Sequence, residues 1–160
     1  MLKRHVVFIA FAAVALAAVG CSDAPESGRA VGAVSNINGG IPVSSSVSSG
    51  ADDVITMEFR FRPYNTLLDI SETTPYGDII IERYVITWSN GAIASREEIT
   101  SFFLSVYEPA SYGVRLVTAA EKGSVAVPAS LVAHIDFFAR EMGTDSEIEF
   151  STDVTVNFTS

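Results

Sequence analysis

The chain has 160 residues, 48% of them apolar, and carries 10 basic against 19 acidic side chains for a net charge of −9. That apolar fraction excludes a wholly disordered protein, the acidic balance leaves no electrostatic footprint for nucleic acid, and the length fits one small domain. A single cysteine, Cys21, excludes an internal disulfide and, with only two histidines, is too little for a Cys/His zinc site, so no metal or other cofactor is expected.

Lys3 and Arg4 precede fourteen uncharged apolar residues, Val6 to Val19, closed by Gly20. A basic start, an apolar centre and a small residue at the boundary form the pattern of a cleavable export signal. Fourteen helical residues rise about 21 Å against a hydrocarbon core of about 30 Å, so the run is short for a permanent span. The residues that close it, Ala18-Val19-Gly20-Cys21, resemble the lipobox of bacterial lipoproteins, departing from it at Ala18, where leucine is commonest. The resemblance implies a signal peptide over residues 1–20, a mature chain beginning at Cys21, and acyl chains on that residue's sulfur and amine. One acyl chain binds a bilayer reversibly and two or more bind it stably, because each buried methylene contributes about 0.8 kcal/mol. Ser22, standing where Asp favours the inner membrane in that family, implies the outer membrane. Removing Lys3 and Arg4 with the leader takes the net charge from −9 to −11.

Residues 22–50 include 8 Ser, 5 Gly and 2 Pro. The composition predicts a flexible Ser/Gly-rich tether over 21–50, spanning on the order of 30 Å as a coil, with a short strand near Ile41 to Val47 as the alternative. The folded domain is then expected over 51–160.

From residue 51 a period of two dominates, which predicts an all-β domain. Ile55, Met57, Phe59 and Phe61 alternate with polar residues until Pro63. Residues 63–78 read as a crossover loop, with Leu67, Leu68 and Ile70 as core plugs. In the next strand Ile79 and Ile81 fall on the opposite parity to Tyr84, Ile86 and Trp88, which predicts a β-bulge at Glu82-Arg83. Asn90-Gly91 predicts a tight turn. Ile93 to Ile99 reads as a short edge strand, and Phe102, Leu104 and Val106 as another. Ser111-Tyr112-Gly113 reads as a turn, followed by a strand from Val114 to Ala120 and a turn at 121–124. Leu131 to Ala139, a loop at 143–146, and a final strand carrying Ile148, Phe150, Val154, Val156 and Phe158 complete the domain.

About seven strands with turns at this spacing predict an antiparallel sandwich. Across Ile79 to Gly91, Leu104 to Gly113 and the last strand, the pattern is similar to the Ig-like or fibronectin-type sandwiches of small bacterial lipoproteins. The resemblance implies a fold and assigns no functional residue.

Chemistry-bearing residues are sparse. His134 has the parity opposite to the core of its strand, and no nucleophile lies in a recognisable motif, so no catalytic residue and no enzymatic activity are expected. The acidic loop from Gly143 to Glu147 offers oxygen ligands, but Glu147 and Glu149 also fit the wet face of the last strand, and the spacing matches no calcium loop. Tyr64, Tyr76, Tyr107 and Tyr112 fall near turns, as candidates for partner or glycan contact. Phe102 and Phe103 are adjacent and must face opposite sides of their sheet, so one of them is a candidate interface anchor. These features predict a lipid-anchored envelope protein of binding type, held to the membrane through Cys21, with a protein or envelope component as partner. The alternative is a carbohydrate-binding or adhesion module.

Overall fold

The computed structural model describes residues 30–63, 78–105 and 108–160. The expected leader, Cys21, Tyr64, Tyr76, Tyr107, Val106 and the plugs Leu67, Leu68 and Ile70 lie outside them.

The fold is all-β, with eight strands and one four-residue helix among the described residues: β1 (Ala30–Ile37), β2 (Val43–Ser46), β3 (Asp53–Pro63), β4 (Ile79–Trp88), β5 (Arg96–Leu104), β6 (Ala110–Val117), α1 (Ala119–Lys122), β7 (Ala129–Glu141) and β8 (Glu147–Thr159). They form a three-stranded sheet in the order β1-β3-β6 and a five-stranded sheet in the order β2-β8-β7-β4-β5. Every ladder is antiparallel except β2 on β8, which is parallel.

Several expectations need correction. The stretch read as a tether contains β1 and β2, so strands of the domain already occur before residue 51, and the described residues hold eight strands where about seven were expected. Tertiary pairing decides here: β1 finds an antiparallel mate in β3, with a register shift between Val34 and Asn36, and β2 adds to the end of β8. Between them Asn38, Gly39 and Gly40 adopt φ of 50°, 63° and 78°, a left-handed run that glycine and asparagine tolerate and that carries the chain from one sheet to the other. The two strands expected around Ile93 to Val106 are one strand, β5, and Ile93 is a buried plug in the loop before it. Ser111-Tyr112-Gly113 lies inside β6, where Tyr112 pairs with Met57 and Gly113 with Thr56. The Asn-Gly site does turn, but the bond closes from Gly91 N to Trp88 O at 3.4 Å, placing Gly91 at the end of the turn in a longer connection.

The predicted bulge is present. Ile81 pairs with Ala139 and Arg83 with Phe138, leaving Glu82 as the extra residue, and the ladder to β5 breaks at the same place. The phase change lets Ile79 and Ile81, then Tyr84, Ile86 and Trp88, all face inward.

The two sheets bury a shared aromatic core. The Phe59 ring meets Phe137 edge-on at 5.1 Å, and Trp88 meets Phe158 at 5.8 Å. Gly32 lets β1 approach β8, since a Cβ there would stand 2.3 Å from the Phe150 ring. On the opposite side, between β5 and β6, side chains bridge the sheets. Tyr112 donates its hydroxyl to Phe103 O, Arg96 donates to Arg115 O at 2.8 Å, and Arg115 N donates to the Tyr84 hydroxyl at 3.2 Å. These contacts occupy backbone groups that an edge strand otherwise leaves open. β3 lies between β1 and β6 in its sheet and offers no edge for a partner. Of β8, only Val156 to Thr159 is covered by β2.

Candidate partner-binding face

The outward side of the five-stranded sheet is built by register. Ile99 of β5 faces Arg83 of β4, which faces Phe138 of β7, which faces Glu149 of β8. The neighbouring row runs Phe103, Ile80, Arg140, Glu147 through the same ladders. Each row passes from an apolar residue at the β5 edge to a carboxylate on β8. Ile99 is 79% and Phe103 47% exposed, so the apolar end is uncovered. Phe102, the other half of the adjacent pair, points inward and stacks on Tyr112 with ring centroids 4.4 Å apart.

The bulge shapes this face. An extra residue bends and twists its strand, and beside it lies a groove of about 380 Å³ lined by Glu82, Arg83, Phe138, Ala139, Glu147, Ile148 and Glu149. The Arg83 guanidinium sits 3.6 Å from the centroid of the Phe138 ring and 3.7 Å from Glu97. Arg140 is held by Glu82 at 3.1 Å and by Asp145 at 3.0 Å. Glu147 and Glu149 take the solvent-face positions expected for them, and no ion pair within the described residues engages either.

The sequence reading missed Glu82, Arg83, Phe138 and Ile99 as site residues. The signal for Phe138 was the adjacent pair Phe137-Phe138, which like Phe102-Phe103 must place one ring on each face. Phe137 is fully buried, leaving its neighbour outside. No local signal joins Glu82 to Glu149, because the ladders through β7 bring them together.

Of the expected site residues, only Tyr112 lies among the described residues. Tyr112 is partly buried against the core, its ring stacked and its hydroxyl committed to Phe103 O. In the acidic loop, Asp145 Oδ1 accepts from Arg140, and no group of three or more His, Cys, Asp or Glu among the described residues is placed to hold a metal ion. No described helix is long and apolar enough to cross a membrane.

His134 does stand beside carboxylates. Its Nδ1 lies 2.7 Å from Asp153 and its Nε2 3.0 Å from Asp136, on the exposed outer face away from the groove. Both ring nitrogens are engaged, so neither is left to take a proton from a nucleophile. The Asp153 hydrogen bond holds His134 above its ordinary value, opposed by burial and then supported by the charge of Asp136. The stabilisation from this trio is therefore complete below the unfolded imidazole pKa and is lost as pH rises through the higher folded value. Replacing Asp153 with Asn should lower the His134 midpoint, read from its ring resonances against pH. An unshifted midpoint would refute the pairing.

The fold and this face define an all-β, two-sheet protein with one amphipathic, grooved outer surface. Compared with protein-family models, curated proteins and solved structures, the chain matches none.

Proposed function

We propose that the chain is an exported lipoprotein, anchored to the outer membrane through Cys21, whose Ig-like domain binds a protein of the cell envelope without catalysis. Support for the anchor is the leader and the Ala18-Val19-Gly20-Cys21 motif. Support for the Ig-like reading is strand order. With β1 and β2 counted as one divided strand, the first, second and fifth strands share one sheet and the third, sixth and seventh the other, as in immunoglobulin constant domains. The fourth strand, β5, departs from that arrangement by pairing with β4.

The observation that carries the binding reading is the outer face itself, where Ile99 and Phe103 stand exposed beside the groove. Large apolar side chains grouped on one face mark interaction surfaces, whereas scattered ones need no explanation. The test is cross-linking capture from envelopes expressing the tagged full chain. Ile99→Ser with Phe103→Ser should remove specific partners retained by the parent protein, and an unchanged set would defeat the reading. Cys21→Ser should abolish incorporation of a labelled fatty acid and release the protein from the membrane fraction. Continued labelling would defeat the anchor.

A further inference from the structure

The groove dictates what chemistry a partner must bring. Its apolar lining is the Phe138 ring, since Ala139 and Ile148 turn their side chains into the core, and its β8 rim carries two carboxylates, Glu147 and Glu149. The resident cations are already committed: Arg83 to the Phe138 ring and Glu97, Arg140 to Glu82 and Asp145. Glu147 and Glu149 therefore face solvent without a counter-charge among the described residues. A lysine or arginine side chain fits both halves of this lining, because its aliphatic stem lies along apolar surface while its head stays with the charge. The overall negative charge steers such a group toward the protein.

We propose that the groove receives a basic side chain from the envelope partner, its stem on Phe138 and its head between Glu147 and Glu149. The inference rests on the preceding reading that this face binds a protein, and it names the chemistry of that protein. The apolar ends of the rows add a spacing. Three strand separations of about 4.8 Å place Ile99 about 14 Å from Glu149, a span that an extended segment covers in about four residues. The partner segment carries an apolar residue about four positions from its basic one.

Labelled peptides titrated into the full chain in non-ionic detergent test this. The probe is Lys-Thr-Ser-Thr-Phe; the controls replace its lysine with glutamate or its phenylalanine with serine. The expected result is saturable binding of the probe by fluorescence anisotropy, with amide shifts concentrated at Arg83, Phe138, Glu147 and Glu149 and weaker binding of both controls. Glu147→Gln with Glu149→Gln should weaken the probe about fivefold to tenfold while leaving the unfolding midpoint unchanged. The proposal is overturned by no binding, by shifts spread over the whole acidic surface, by equal binding of the glutamate peptide, or by an unchanged affinity in the double variant. Displacement of the probe by a neutral oligosaccharide also overturns it. If the glutamine pair leaves peptide affinity and envelope capture intact while Ile99→Ser with Phe103→Ser removes capture, the basic-group inference falls and the binding face stands. If neither pair affects capture, both fall.

Discussion

Phe59→Ala is expected to lower the unfolding free energy by about 3 to 5 kcal/mol, the cost of deleting a fully enclosed aromatic side chain whose cavity cannot collapse. Phe59 is fully buried on β3, the central strand of the three-stranded sheet. Its ring meets Phe137 of β7 at 5.1 Å, Phe102 of β5 at 6.1 Å, Tyr112 of β6 at 6.2 Å and Phe150 of β8 at 6.3 Å. The substitution therefore removes contacts to both sheets at once, and neighbours anchored in four separate strands cannot all move into the void. Urea unfolding of the parent and variant proteins measures the loss. Phe103→Ala is the matched control. It deletes a ring of the same size from the outer face, where the change should stay within about 0.5 kcal/mol. Similar losses for the two variants would contradict the assignment of inner and outer faces.

The inner face was readable because alternation survives every local irregularity. Ile55, Met57 and Phe59 on one strand, and Leu131, Ala133, Ile135, Phe137 and Ala139 on another, are buried as their parity requires. The parity change in β4 also located the bulge, since a one-residue insertion is the simplest way to keep both halves of a strand facing the core. Composition misled where tertiary pairing decides the outcome. Ser111-Tyr112-Gly113 has turn residues but is held in β6 by its ladder to β3, and the Ser-rich β2 is ordered by the end of β8. Helix α1 was legible and overlooked. Thr118-Ala119-Ala120-Glu121 spells a capping box, in which Thr118 N donates to Glu121 Oε2 at 2.7 Å and Glu121 N donates to Thr118 Oγ1 at 3.3 Å. The groove was not legible as a unit, because Glu82, Phe138 and Glu149 become neighbours only through pairings separated by dozens of residues.

The second large effect concerns a charge carried by α1. Lys122 is fully buried, and its ammonium donates to Ala51 O and to Asp53 Oδ1, each at 2.7 Å. This pair ties the helix to the start of β3, beside the seam where Arg96 reaches Glu121 at 3.1 Å. Ion-pair physics makes the two partners unequal as targets. Removing the carboxylate leaves a buried ammonium with a single carbonyl, a situation that typically costs about 3 to 5 kcal/mol. Removing the ammonium and keeping its hydrocarbon leaves Asp53, whose side chain is partly exposed and can be hydrated in part, although its Oδ2 is buried without a partner. Asp53→Ala is therefore expected to destabilise the domain by about 3 kcal/mol or more, and Lys122→Met by about 1 to 2 kcal/mol. The double variant should be more stable than Asp53→Ala alone, because the unpaired charge has gone. Thermal and urea unfolding of the three variants gives the coupling directly. If Lys122→Met costs more than Asp53→Ala, or if the two losses simply add, the buried pair does not hold α1 to β3 in the way its geometry requires.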